Sequence, residues 1–226
     1  MGDKFDLVSP PKANKVIAKI SLEDSHNILI IMKIHTSIKN HKGMSSPSSS
    51  SSLVQGIRHS NFHDHNMLIY PDLTTYRKIY SESAKLALDN KEVVLLVTTY
   101  DSFDRIKDSL TEAGISVNNE IKEGNLVILD AVKAYQIDTH GALKFATTLA
   151  KRAESDRKSG VFALTEMGSF FIAERIASLL EYERSLPKKW ELNNFKSACT
   201  YHKDDFATLS KQQQETILSA HNRVLA

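Results

Sequence analysis

The sequence predicts an α/β protein: a three-layer α/β/α domain on a mainly parallel sheet of five or more strands. Short apolar runs at Asn66–Tyr70, Val93–Val97, Leu126–Leu129 and Val161–Thr165 alternate with helix-length amphipathic segments. The runs are apolar throughout, not at every second residue, as expected of strands covered on both faces. Right-handed crossovers between such strands give a layered sheet.

Taken in order, residues 1–44 read as a weakly structured amino-terminal extension, with Pro10-Pro11 blocking regular structure and Val16–Ile20 and Ile28–Ile34 as short candidate strands. Residues 45–58 read as a serine-rich linker, because Ser45–Ser52 offers too little apolar surface to bury. The folded domain is expected over 59–226. Its first helix, Asp72–Asn90, carries Leu73, Tyr76, Tyr80, Ala84, Ala87 and Leu88 at spacings of three and four, with Asp72 as N-cap. A second helix over Asp101–Ala113 repeats the pattern with Phe103, Ile106, Leu110 and Ala113, and Gly114 stops it. The Gly124-Asn125 pair marks the turn into the third strand. Thr139–Lys158 reads as a third helix with Ala142, Ala146, Leu149 and Ala153 inward. A fourth, Ser169–Ser185, has Phe170, Ala173, Ala177 and Leu180 inward and ends before Pro187. Phe195–Tyr201 suits a fifth strand, and Ser210–Leu225 a last helix with Leu209, Ile217, Ala220 and Val224 on one side.

Composition narrows the classes of function. The chain has 226 residues, 41% hydrophobic and 25% charged, as in a soluble globular protein. A net charge of +2 makes no general case for nucleic-acid binding, and the basic excess lies early: residues 1–60 hold eight Lys/Arg against four Asp/Glu. No apolar run is longer than the five residues of Ile28–Met32, too short to span a bilayer, and the start does not read as a secretion signal. One cysteine, Cys199, excludes an intramolecular disulfide and fits a cytoplasmic setting. In a predicted strand it reads as a buried, inert thiol.

Ligands of open parallel sheets bind beyond the carboxyl ends of the strands. Here those ends supply Tyr70-Pro71-Asp72, Thr98-Thr99-Tyr100, Asp130 and Glu166-Met167, which is a polar rim. Structural alternatives for Asp130 and Glu166 are helix capping or pairing with lysines. Glu166 is the strongest candidate, since it closes an apolar strand just before Gly168. His59, His63, Asp64 and His65 invite a metal reading, but neither Cys-x-x-Cys nor His-Glu-x-x-His accompanies them; no metal or cofactor is assigned. The junction Tyr70–Thr75, where a nucleotide-binding domain of this type carries its phosphate loop, has no glycine and no Gly-Lys-Ser/Thr. Neither Gly-x-Gly-x-x-Gly nor Gly-x-Ser-x-Gly is present, so no catalytic residue is named and the chain is read as a non-enzyme.

Several segments carry a resemblance. His65-Asn-Met-Leu-Ile-Tyr70 resembles the opening His-x-Cys-x-x-Tyr/Phe of the MEDS domain, the sensory domain named for methanogens, methylotrophs and the dichloromethane-responsive regulator. The similarity continues through Asn90–Val97, Ala113–Val117, Gly124–Asp130 with Tyr135, Glu166-Met-Gly168, Leu180–Glu183 and Ala198–Tyr201. It covers about residues 59–226. The family's frequent cysteine is Met67 here, which weakens any thiol or metal chemistry at that point. The resemblance implies a KaiC/RecA-like core without its phosphate loop. It also implies sensing of small molecules such as hydrocarbon derivatives, with the signal passed to a regulator or kinase partner. Taken together, the candidate ligand-binding residues are His65, Tyr70, Thr98, Asp130, Glu166 and Tyr201. A degenerate nucleotide-binding protein or ATPase and a structural protein–protein adaptor are the competing readings. Neither a membrane nor nucleic acid is an expected partner, and a homo-oligomer is allowed.

Overall fold

In the computed structural model, residues 49–225 are described, apart from 133 and 135–138. The extension expected over residues 1–44 and the family-like Tyr135 lie outside them. The described strands are β1 (His65–Tyr70), β2 (Glu92–Thr98), β3 (Leu126–Asp130), β4 (Gly160–Glu166), β5 (Phe195–His202) and β6 (Arg223–Leu225). They form one sheet in the order β3-β2-β4-β5-β1-β6, and every pairing is parallel. The expected layered α/β fold is therefore present.

Helices cover both faces. On one lie α1 (Ser49–Arg58), α2 (Leu73–Asp89), α3 (Phe103–Glu112) and α4 (Val117–Glu123). Their buried side chains, among them Ile57, Tyr76, Ile79, Tyr80, Ile106 and Leu110, meet Leu68, Leu96 and Leu164 of the strands. On the other lie α5 (Thr139–Ser155), α6 (Gly168–Ile172), α7 (Ile176–Ser185), α8 (Lys203–Thr208) and α9 (Lys211–Ala220). Ala150, Phe170, Leu179 and Ile217 there meet Met67, Leu95, Ala163 and Cys199. Alternate residues of each strand thus enter alternate cores, which is why continuous apolar runs are needed. Full burial of one such Leu or Ile contributes about 1.5–3 kcal/mol. Among the described residues no helix is long and apolar enough to cross a membrane.

Local chemistry sets the boundaries. Asp72 caps α2 by accepting from Thr75 N at 2.8 Å, and Ser102 caps α3. Ser210 and Gln213 form a reciprocal capping box on α9.

Four expectations need correction. From Ser49 the expected linker is helix α1, because Leu53, Val54 and Ile57 recur on one face and are buried on the sheet. Phe103 does not face inward; it begins α3 and is 51% exposed. The single helix over Ser169–Ser185 is two helices. Glu174 turns left-handed (φ 54°), Arg175 N donates to Phe170 O at 2.8 Å and Glu174 N to Phe171 O at 3.1 Å, a helix-ending pattern usually closed by glycine. The break rotates α7, so Leu179, Tyr182 and Glu183 are buried and Ala177 is exposed. The last helix ends at Ala220, and Arg223–Leu225 becomes a strand paired with β1, leaving Val224 44% exposed.

Candidate functional site

Strands β2 and β4 are neighbours, but their exits diverge: β2 leads to α3 on one face and β4 to α6 on the other. Such a divergence opens a crevice at the carboxyl edge. Glu166, the last residue of β4, lies there and is 1% exposed. Its Oε1 accepts from the Tyr70 hydroxyl, at the end of β1. Its Oε2 accepts from the backbone N–H of Thr99 at 2.6 Å and of Tyr100 at 3.2 Å, just beyond β2. One carboxylate therefore ties the ends of three strands. Burial pushes Glu166 up to about 7, against the opposing pull of the Tyr70 hydroxyl and the two amides. Burial raises the Tyr70 hydroxyl as well, and Glu166 adds to that rise. Tyr70 stacks on Tyr76, with ring centroids 4.3 Å apart.

Above this layer a cleft of about 400 Å³ is lined by Tyr100, Phe171, Ile172, Glu174, Ile176, Asp205 and Thr208. These come from the turn after β2, the α6–α7 break and α8. Tyr100 donates its hydroxyl to Asp205 Oδ2 at 2.5 Å across the cleft. Its ring also fills the space beside Gly168, where an added Cβ would come within 2.5 Å of it. Glu166 does not line the cleft; it touches it only by holding the Tyr100 amide, while Tyr201 packs its ring edge-on against Phe171 of the apolar wall, where Ile172 is 45% exposed.

The six residues named from the sequence separate. Tyr70 and Glu166 meet directly. Thr98 is buried at the end of β2, opposite Asp130 in register. Asp130 is exposed at the end of the edge strand β3. His65 does not join them. It begins β1, at the amino edge, and its side chain is fully buried under the opposite face. Tyr201 also belongs to that face, where its hydroxyl donates to Glu183 Oε1. A side chain alternates faces along a strand, so position near a strand end was not enough to predict which core it enters.

The three sequence-adjacent histidines also part. His59 Nδ1 donates to Gln55 O, at the end of α1, at 2.8 Å. His63 adopts a left-handed φ of 77° and donates Nδ1 to Trp190 O at 2.9 Å. His65 Nδ1 donates to Pro187 O at 3.1 Å, and its Nε2 lies 3.3 Å from Cys199 Sγ. Burial, reinforced by His221, pushes His65 down to about 3, so it is the neutral imidazole. Around it gather Glu183 of α7, Cys199 of β5 and His221, which follows α9; all four are buried. No local spacing signals this group, because three separate elements and a loop supply it. Cys199, read as inert from its strand position, stands in register beside Met67.

The profile of the family described as MEDS, MEthanogen/methylotroph, DcmR Sensory domain, matches residues 64–222. No curated protein matches the chain.

Proposed function

The chain belongs to the MEDS family of sensory domains, and we propose that it is a non-catalytic module that binds a small molecule in the carboxyl-edge cleft. The observation that carries this reading is the cleft itself. It lies at the β2/β4 divergence, has a volume in the range of small-ligand sites, and combines an apolar wall with the Tyr100–Asp205 pair. Phe171, Ile172 and Ile176 suit the apolar part of a hydrocarbon derivative, and the Tyr100–Asp205 pair suits one polar substituent. In this reading Glu166, held by Tyr70, fixes the Tyr100 turn that lines the cleft, and Thr98 braces the adjacent strand end. The module reports occupancy to a regulator or kinase partner through the exposed α6–α7 segment, whose break at Glu174 lies on the cleft rim.

A thermal-shift screen of small hydrocarbon derivatives, run on the unaltered chain and on Gly168→Ala, tests the reading. The added methyl must displace the Tyr100 ring from the cleft wall. The expected result is a stabilising compound whose affinity falls about 10-fold or more in the variant, the scale of one lost wall contact. A compound that stabilises both proteins equally would place binding elsewhere.

A further inference from the structure

We propose that His65, Glu183, Cys199 and His221 form a buried binding site for one zinc-type divalent cation, independent of the cleft. The four offer two imidazole nitrogens, a sulfur and a carboxylate oxygen, all within 4.8 Å of one another. That donor set suits a borderline-soft cation and fills a tetrahedral shell. Tetrahedral bonds of about 2.0 Å to nitrogen or oxygen and 2.3 Å to sulfur put neighbouring donors roughly 3.3–3.5 Å apart. His65 Nε2 lies 3.3 Å from Cys199 Sγ, and His221 Nε2 lies 3.5 Å from a Glu183 carboxylate oxygen.

The surroundings point the donors inward. A carbonyl oxygen only accepts, so His65 Nδ1, 3.1 Å from Pro187 O, carries the proton. The same holds for His221 Nδ1, 2.7 Å from Ile217 O. Both rings therefore present an Nε2 lone pair to the same space, the arrangement that outer-shell carbonyls impose on metal-binding histidines. Tyr201 likewise holds Glu183 by its Oε1 and leaves Oε2 facing the group.

A second observation is independent of the clustering. Glu183 Oε2 and His221 Nε2 are buried and make no hydrogen bond of ordinary geometry among the described residues, although the Cys199 thiol also lies against the Glu183 carboxylate. Their residues are 0% and 2% exposed. Leaving such atoms unsatisfied costs free energy, and a cation satisfies both. The alternative is a proton on His221, making an ion pair with Glu183. At 3.5 Å that contact is longer than the roughly 2.7–2.9 Å of a charge-assisted bond. Charge also balances: on binding, the Cys199 thiol proton leaves to solvent. Two neutral imidazoles, one thiolate and one carboxylate then surround a dication with no net charge left in the core.

The test uses the full chain purified after zinc loading and exhaustive dialysis. Elemental analysis is expected to find close to one zinc per chain, and chelation in mild denaturant followed by zinc addition should raise the melting temperature by roughly 8 °C or more. Replacing zinc with cobalt should give a thiolate-to-cobalt charge-transfer band that Cys199→Ser loses and His63→Gln keeps. If Cys199→Ser does not fold, the zinc content and cobalt spectrum of the unaltered chain decide. Zinc below one-tenth per chain, no zinc-dependent melting shift, or a cobalt spectrum without a thiolate band would each overturn the proposal and leave a proton in the group.

Discussion

At Glu166 the balance between burial and donors has a measurable consequence. The folded carboxyl holds its proton up to about pH 7, whereas the unfolded one releases it near 4.5. Between those values the folded state binds more protons, so the contribution of this group to stability falls as pH rises from about 4.5 to about 7. His65, depressed to about 3, acts with the opposite sign over part of that range, so a difference between proteins is needed. Glu166→Gln preserves shape and cannot titrate. Melting curves of both proteins across pH 4–8 should show the unaltered chain losing stability relative to the variant as pH rises, by on the order of 1–3 kcal/mol in total. Parallel curves would mean that Glu166 titrates alike in both states. Tyr70→Phe should cost about 1–3 kcal/mol, because Oε1 loses its donor while remaining buried. It should also move the Glu166 window upward, since the hydroxyl pulls that pKa down. Chemical denaturation at pH 5 and pH 8 reads both effects. The sequence placed Tyr70 and Glu166 at strand ends but could not show that each satisfies the other. That depends on β1 and β4 flanking β5, a matter of strand order that no local spacing encodes.

At the level of elements, patterns repeated over many residues were legible and single interruptions were not. The α2 stripe and the strands β1, β2 and β4 followed directly from periodicity. The α6–α7 break did not, because it uses Glu174 in a left-handed conformation where glycine would have announced the turn. The local pattern over Arg223–Leu225 favours helix, because the pairing that makes it a strand is with β1, far away in the chain. Serines hid α1: its amino-terminal turn is low in complexity, while Leu53, Val54 and Ile57 anchor it. If α1 belongs to the folded unit as described, Ile57→Ala should destabilise by about 2–5 kcal/mol, the range for truncating a buried Ile. Arg58→Ala, at an exposed position on the same helix, should stay within about 0.5 kcal/mol. Equal effects in urea unfolding would show that α1 is not anchored by that face.

For the whole molecule, two cores on either side of a parallel sheet leave the carboxyl edge as the place where divergent connections open a cleft. Among the described residues, the first strand–helix junction at that edge offers no phosphate cradle. Asp72 uses its carboxylate to cap α2, and the Tyr70–Thr75 junction has neither glycine nor lysine. ATP turnover should therefore stay far below the roughly 1–100 per second of working kinases, measured as phosphate release with magnesium present. Turnover in that range, abolished by Asp130→Ala, would support the ATPase reading instead. The proposed function requires a small molecule in the cleft beside Ile172. Native mass spectrometry of the chain purified from its own source tests it most directly, with Ile172→Asp and Phe103→Asp expressed alongside. Both residues are exposed apolar side chains, but only Ile172 lines the cleft. One small-molecule adduct per chain is expected, retained by Phe103→Asp and lost by Ile172→Asp. No adduct on the unaltered chain, or an adduct that persists equally in both variants, would contradict it.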